Sequence, residues 1–289
     1  MSATNVENLE VPGATLHYEV SGQGPVLLLI CGGPTDAAIY GGLAAALSEN
    51  YTVVRYDPRG NSRSNLTGTP TDQQIEVYSD DAHRLLAALG DAPAFVVGSS
   101  GGALVGLELA ARHPEQVHTL IAHEPPAMEL LTDSQRWRDH FTDVHETYRK
   151  DGVGPAMGKF IAGVEEPDGP QAGAAPTPPE APGPDMGTPD PEMMEMMGRM
   201  AANAEFFLGH VMVPFSRYVP DADALKAAST RVVLAAGEAS KGTPIHQAGV
   251  VLADRVGTDI VDFPGDHQGF LTHSPQFAEQ VHKVLSTGK

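Results

Sequence analysis

The sequence predicts an α/β fold in which helices flank a mostly parallel, twisted sheet. Strand and helix patterns alternate through residues 1–125, and the same alternation returns in residues 229–289. Several predicted strands are short, continuous apolar runs such as Val26–Ile30, which is typical of strands buried on both faces of a parallel sheet. Because parallel strands need a crossover between them, the alternation predicts helices on both faces of one core domain made of these two ranges.

Alternating or β-branched runs predict the strands, and apolar residues at helical spacing predict the helices. The predicted strands, in chain order, are Thr15–Val20, Val26–Ile30, Tyr51–Tyr56, Ala94–Val97, Val117–Ala122, Arg231–Ala236 and Thr258–Phe263. The predicted helices are Leu43–Leu47, Asp72–Leu89, residues 103–112, Pro244–Val256 and Ser274–Leu285. Glycine- and proline-containing turns separate these elements.

Residues 126–228 interrupt this order, and we expect them to form a helical cap inserted between the fifth and sixth predicted strands. Residues 132–150 and 192–213 have helical patterns. Between these helices, residues 163–192 are predicted to form a Pro- and Gly-rich loop, because nine of the 25 residues from 167 to 191 are proline. A segment of this composition cannot build a packed core, so we expect a long or partly disordered loop.

The composition restricts the class of function. The chain has 18 lysines and arginines against 37 aspartates and glutamates, a net charge of −19 with histidine neutral. This charge argues against a nucleic-acid partner and against docking on an anionic membrane. The single cysteine, Cys31, excludes an intrachain disulfide and a Cys-based zinc site, and no His–carboxylate cluster has the spacing of metal ligands. With no signal-peptide pattern and no long apolar run, we expect a cytoplasmic protein that uses neither a metal nor a cofactor.

The strongest catalytic pattern is Gly98-Ser99-Ser100-Gly101-Gly102, a G-x-S-x-G sequence between a predicted strand and a predicted helix. A nucleophile on such a tight turn has a strained backbone, and bulky side chains two residues to either side would collide. The start of the following helix directs free N–H groups towards negative charge that develops near Ser100. Since only Ser100 has glycine at both of these positions, we predict Ser100 as the nucleophile rather than Ser99.

His267 is the predicted general base. It lies in the run FPGDHQGF, after the last predicted strand and before the last predicted helix. Because the loops at the carboxyl ends of parallel strands share one edge of a sheet, His267 should lie near Ser100. A serine hydroxyl needs an adjacent base to take its proton, and imidazole suits this task near neutral pH.

In combination, these motifs resemble the α/β-hydrolase fold superfamily, and in particular its serine hydrolases with an inserted cap. The motifs are CGGP at Cys31, DPRGNSRS at Asp57, GSSGG around Ser100, and GDHQGF around His267. The resemblance covers nearly the whole chain except residues 163–192. It implies a Ser–acid–His triad in that chain order, and an oxyanion hole formed by two backbone N–H groups. Those groups would be the amides of Gly101 and Gly33.

Two departures from the family pattern concern loop structure. Cys31 stands where the oxyanion loop usually begins with histidine, and we expect its thiol to fill a small apolar site. Ser62 stands where the motif D-x-R-G-x-G-x-S has its second glycine. We assign neither residue a catalytic role.

The third departure concerns the acid of the triad. The position that the family usually gives to aspartate is Ser240, and serine cannot hold a charge opposite an imidazolium. Some members, such as the haloalkane dehalogenases, carry the acid one strand earlier, and the matching position here is Glu124. We therefore predict Glu124 as the acid, with Glu238 and Asp266 as the alternatives.

These residues predict a serine hydrolase that cleaves an ester, a thioester or a lactone of an apolar small molecule. Met193, Met196 and Met197, at helical spacing in the cap, are predicted to line the substrate pocket, although they could instead form the core of the cap. Two other functions stay open. The same triad could serve acyl transfer or lyase and C–C bond chemistry, or the chain could be a non-catalytic small-molecule binding module.

Overall fold

The structure is a computed structural model that describes residues 4–165 and 191–287. Within these ranges, nine strands form a single sheet. The strands are β1 (Asn5–Val11), β2 (Ala14–Gly22), β3 (Val26–Ile30), β4 (Thr52–Tyr56), β5 (Asn65–Leu66), β6 (Ala94–Ser99), β7 (Val117–His123), β8 (Arg231–Gly237) and β9 (Ile260–Phe263). Their order across the sheet is β1-β2-β4-β3-β6-β7-β8-β9, and β5 pairs with β2.

The strands from β4 to β9 in this order pair in parallel, whereas β2 is antiparallel to β1, β4 and β5. The mostly parallel sheet predicted from the sequence is therefore confirmed. The sequence pattern did not identify β1. Most of its residues are exposed, and it pairs with β2 through a turn at Gly13, whose φ is +82°. A polar edge strand of this kind lacks the apolar run that marks the central strands.

Eleven α-helices occur in the described part of the chain. They are α1 (Gly41–Leu47), α2 (Ile75–Leu89), α3 (Gly101–Arg112), α4 (Ser134–Asp151), α5 (Val153–Glu165), α6 (Pro191–Phe206), α7 (Met212–Ser216), α8 (Ala222–Ala227), α9 (Pro244–Val256), α10 (Gly269–Thr272) and α11 (Ser274–Ser286). A short π-helical turn, Phe207–Val211, joins α6 to α7.

The helices cover both faces of the sheet, as the strand pattern requires. Leu28 of β3 packs in a cluster with residues of α2, α3 and α9, whereas its neighbours Leu27 and Leu29 pack in a second cluster with residues of α1 and α11. Successive side chains of a strand point to opposite faces, so this alternation shows that β3 is buried on both sides.

Helices α4 to α8 lie between β7 and β8, where the sequence predicts the inserted cap. Part of this insertion packs in an apolar cluster that includes Trp137, Phe141, Val164 and Leu208, together with Ile245 of α9. The predicted loop 163–192 needs a correction at both ends. Residues up to 165 belong to α5, since Val164 is buried in this cluster, and α6 begins at Pro191, in the first turn where proline is tolerated. The rest of the predicted loop lies outside the described residues.

Candidate active site

Ser100 occupies a sharp turn between β6 and α3. Its backbone has φ 56° and ψ −128°, a conformation that costs a non-glycine residue roughly 1–3 kcal/mol. The flanking glycines are required by close backbone contacts. A Cβ on Gly98 would lie 2.3 Å from the carbonyl oxygen of Gly102, and a Cβ on Gly102 would lie 2.1 Å from that of Ile30. The turn therefore exposes Ser100 at the carboxyl end of the central strands.

The two amides predicted to form the oxyanion hole lie close together. A Cβ on Gly32 would lie 2.6 Å from the backbone nitrogen of Gly101, so the loop after β3 packs directly on the start of α3. A Cβ on Gly101 would lie 3.8 Å from the nitrogen of Gly33. Gly33 itself has a φ of +60°, in the region that favours glycine. Both residues line the same cavity as Ser100.

Glu124 follows β7 and is completely buried. Its Oε2 accepts a hydrogen bond from Nδ1 of His267 at 2.6 Å, and its Oε1 accepts one from the backbone N–H of Gly237 at 2.9 Å. The backbone N–H of Glu124 in turn donates to the carbonyl of Ala235 at 2.8 Å. These contacts hold Glu124 between the ends of β7 and β8, beside the loop that carries His267.

The surroundings of Glu124 keep its carboxyl ionised. Burial alone would raise its pKa, but the hydrogen bond with His267 and the nearby rings of His267 and His123 outweigh burial and lower the pKa to about 2. The buried hydroxyl of Ser240 also lowers this pKa. Thus the serine at the family's usual acid position lies beside the carboxylate of Glu124.

The two alternative acids are placed differently. Glu238 is exposed at the start of a 3₁₀ turn. Asp266 is exposed as well, and its Oδ1 accepts a hydrogen bond from the backbone N–H of Gln268 at 2.9 Å. Of the three carboxylates considered from the sequence, Glu124 is the one that the structure brings to the His267 ring.

A second histidine, His123, lies beneath this pair and was not assigned a site role from the sequence. It is fully buried, its Nδ1 lies 3.0 Å from Oγ of Ser99, and its ring is 6.4 Å from the ring of His267. Burial lowers the pKa of His123 to about 4, so its ring is neutral near pH 7. The rings of Phe263, Phe270 and Phe277 pack around the His123 ring and shield it from water.

Ser100 and His267 open on a cavity of about 220 Å³ beneath the cap. Aromatic and aliphatic side chains supply most of its wall. Those from the insertion are Pro126, Phe141, Met157, Phe160, Ile161, Val164, Met200, Phe207, Met212 and Phe215. No lysine, arginine, aspartate or glutamate side chain lines the cavity among the described residues. The described wall is therefore largely apolar and offers no carboxylate, ammonium or guanidinium partner to a charged group.

The cavity wall formed by the described residues does not include the predicted pocket methionines Met193, Met196 and Met197. Met193 and Met197 are 38% and 56% exposed, and Met196 is buried in the cluster that includes residues of α1 and α11. Met157, Met200 and Met212 line the cavity in their place. One face of α6 packs on the core through Met196, and Met200 is the described residue of this helix that lines the cavity.

The departures at Cys31 and Ser62 also have physical explanations. Cys31 is buried in the cavity wall, and burial raises the pKa of its thiol to about 12, so it is a neutral packing residue. Ser62 has a φ of +50°, in the left-handed region that favours glycine, which is the residue that the family pattern has at this position. Hydrogen bonds from its hydroxyl and its backbone N–H hold it there.

In residues 4–165 and 191–287 there is no group of three or more His, Cys, Asp or Glu side chains arranged to hold a metal ion. The helices in those same ranges include none that is long and apolar enough to cross a membrane.

Comparison with known proteins agrees with this architecture. The chain is 34% identical over 291 residues to the protein named uncharacterized hydrolase YraK of Bacillus subtilis (strain 168), and the match covers 99% of this chain and 97% of that protein. A family model described as the alpha/beta hydrolase fold matches residues 25–162.

Two solved structures share the fold across nearly the whole chain. A thermophilic esterase from Thermogutta terrifontis is 17% identical with a TM-score of 0.72, and the match covers 99% of this chain and 98% of that one. The enol-lactonase from Burkholderia xenovorans LB400 is 19% identical with a TM-score of 0.66, over 97% of this chain and 100% of that one. The full-length match to the Bacillus relative, together with the matching family model, shows that this chain belongs to the α/β-hydrolase family.

Proposed function

We propose that the protein is a serine hydrolase that cleaves uncharged esters, thioesters or lactones of apolar small molecules, with Ser100, His267 and Glu124 as its triad. The observation that carries this proposal is the 2.6 Å hydrogen bond between the buried Glu124 carboxylate and Nδ1 of His267. It leaves the other ring nitrogen of His267 to act at the cavity that Ser100 also lines.

In the first half of the reaction, Oγ of Ser100 attacks the substrate carbonyl carbon while its proton passes to Nε2 of His267. Glu124 holds the proton on Nδ1 and stabilises the imidazolium that forms. The negative charge that develops on the carbonyl oxygen is stabilised by the N–H groups of Gly33 and Gly101. The imidazolium then gives its Nε2 proton to the leaving oxygen or sulfur, and an acyl-enzyme remains on Ser100.

In the second half, water replaces the leaving group. Nε2 of His267 takes a proton from the water as its oxygen attacks the acyl carbon, and the same oxyanion hole stabilises the second tetrahedral intermediate. Return of the proton to Oγ of Ser100 releases the carboxylic acid. Hydrolysis, rather than acyl transfer or lyase chemistry, is supported by the hydrolase name of the relative that matches the chain throughout.

The test uses a fluorophosphonate, which labels an activated serine covalently and adds a defined mass. We expect one adduct on the wild type, one on Ser99→Ala, and none on Ser100→Ala. With p-nitrophenyl esters as substrates, Ser100→Ala should lower kcat by about 10⁴- to 10⁶-fold. A wild type that takes no adduct and hydrolyses no ester would favour the non-catalytic binding module, and an adduct that persists in Ser100→Ala would exclude Ser100 as the nucleophile.

A further inference from the structure

The loop that carries Gly33, residues 32–36, is held by the cap helix α6. The carboxylate of Asp36 at the end of this loop is fully buried, and its Oδ2 accepts hydrogen bonds from Nε of Arg199 at 2.5 Å and from Oγ of Ser62 at 2.9 Å. Arg199 is the one cation that pairs with Asp36 among the described residues. Without it, the buried carboxylate of Asp36 would keep hydrogen bonds from Ser62 and from the backbone N–H of Ala38 but would have no ionic partner, which is destabilising.

A second residue of α6 contacts the same loop one turn later. Nδ2 of Asn203 donates to the carbonyl oxygen of Pro34 at 3.0 Å and contacts Oγ of Ser62 at 2.9 Å. Oδ1 of Asn203 accepts from the backbone N–H of Ser62 at 2.7 Å. Asn203 is only 5% exposed, so these bonds are shielded from water. We call this set, formed by Arg199 and Asn203 with Pro34, Asp36 and Ser62, the cap–loop contact.

The cap–loop contact holds the segment that carries Gly33. The direction of the backbone N–H of Gly33 matters for the proposed oxyanion hole. Oγ1 of Thr35 donates to the carbonyl of Gly32 at 2.6 Å, which fixes the peptide plane that contains the N–H of Gly33. Nδ2 of Asn61 lies 3.3 Å from the carbonyl of Gly33 and donates to the carbonyl of Thr35 at 2.9 Å.

Together with the hydrogen bond from Asn203 to the carbonyl of Pro34, side chains thus donate to the backbone carbonyls of four successive residues, 32–35. Gly33 has the conformational freedom of glycine, so the loop needs such outside contacts to keep one conformation.

We propose that Arg199 and Asn203 are positioning residues for the oxyanion hole. By holding Asp36 and Pro34, they keep the N–H of Gly33 directed at the oxygen of the substrate carbonyl, so the hole is complete only when α6 is docked. This inference rests on the proposed serine-hydrolase function. Met200 of the same helix lines the cavity, so a ligand that packs on Met200 would also favour the docked position of α6.

The consequence is specific to the transition state. Oxyanion-hole hydrogen bonds strengthen only when charge develops on the carbonyl oxygen, so their loss lowers kcat and leaves KM nearly unchanged. Removal of one such donor typically costs about 10²- to 10³-fold in kcat, and a displaced donor should cost less. We therefore expect Arg199→Ala and Asn203→Ala each to lower kcat by about 10- to 100-fold, with KM changed by less than about threefold.

The experiment compares two inhibitors of the same alkyl chain. A trifluoromethyl ketone forms a hemiketal oxyanion with the nucleophile, whereas the matching methyl ketone binds as a neutral carbonyl. In both variants the Ki of the trifluoromethyl ketone should rise in proportion to the loss of kcat, and the Ki of the methyl ketone should stay within about threefold of the wild type. Glu195→Gln is the matched control. It removes the exposed partner of Arg199 on the same helix and leaves the bond to Asp36, so its kcat and both Ki values should equal those of the wild type.

Several outcomes would overturn the inference: an unchanged kcat in both alanine variants, a rise in KM without a fall in kcat, or an equal weakening of both ketones. If Arg199→Ala does not fold, Arg199→Lys is measured instead. It keeps the charge but not the Nε contact, so the same pattern is expected at about 3- to 10-fold. Failure of the proposed function is a separate result, because a wild type without fluorophosphonate labelling or ester turnover would reveal it before any variant is compared.

Discussion

At the scale of single residues, Glu124 is the most informative position. Both of its carboxylate oxygens accept hydrogen bonds, one from Nδ1 of His267 and one from the backbone N–H of Gly237. A glutamine amide has only one accepting oxygen, so it cannot satisfy both donors. Placed towards His267, the NH₂ group would donate to Nδ1 and select the wrong tautomer for a base. Placed towards Gly237, the NH₂ group would face the buried backbone N–H of Gly237, so that two donors would meet without an acceptor.

We therefore expect Glu124→Gln to lower kcat for p-nitrophenyl esters by about 10²- to 10⁴-fold, with little change in KM. Glu238→Gln and Asp266→Asn are the controls, since both side chains are exposed and neither is placed at the His267 ring. Each should keep kcat within about threefold of the wild type. A larger loss in Glu238→Gln than in Glu124→Gln would assign the acid to the strand that the family usually uses.

The sequence was sufficient to place Ser100, His267 and Glu124 at one edge of a sheet, because each follows a parallel strand. It could not show the role of Arg199 and Asn203, since nothing in a polar helix pattern indicates which loop its side chains contact. Ser62 offered the one clue. A serine at a position of positive φ needs partners to hold it, and those partners are Asp36 and Asn203.

At the scale of elements, helices of the insertion supply much of the cavity wall. Helix α5 was not predicted from the sequence, although its apolar residues Met157, Phe160 and Val164 recur at helical spacing. All three line the cavity. Its four glycine and proline residues weakened the helical pattern, and tertiary packing overrides that weak local preference. The same packing explains why Met193, Met196 and Met197 are absent from the cavity wall that the described residues form. Periodicity shows that a helix has an apolar face, but not whether that face meets the core or a cavity.

Met157 and Met197 provide a matched pair for testing the cavity wall. Met157→Ser replaces an apolar side chain of the wall, so KM for octanoyl or longer p-nitrophenyl esters should rise by about 5- to 30-fold, which corresponds to about 1–2 kcal/mol of lost apolar contact. KM for the acetyl ester should change little. Met197→Ser alters a side chain that is 56% exposed, and it should leave KM and the melting temperature nearly unchanged. A rise of KM in Met197→Ser and not in Met157→Ser would relocate the pocket to the outer face of α6.

At the scale of the whole molecule, net charge and cavity act on a substrate at different distances. The net charge of −19 creates a long-range potential that disfavours anions and attracts cations, and salt screens it with a Debye length of roughly 10 Å at 0.1 M. The cavity acts at contact. Since no charged side chain of the described residues lines it, an ion of either sign would lose its hydration there without a partner.

Three esters of equal chain length separate these two effects: one ends in a methyl group, one in a carboxylate, and one in a trimethylammonium group. The neutral ester should have the highest kcat/KM, by about tenfold or more, because burial of an unpaired charge costs well over 1.4 kcal/mol. Raising the salt from about 20 to about 500 mM, which shortens the Debye length about fivefold, should raise kcat/KM for the anionic ester, lower it for the cationic ester, and leave the neutral ester unchanged. A preference for either charged ester at high salt, where long-range effects are screened, would mean that a charged side chain meets the substrate and that the cavity is not its binding site.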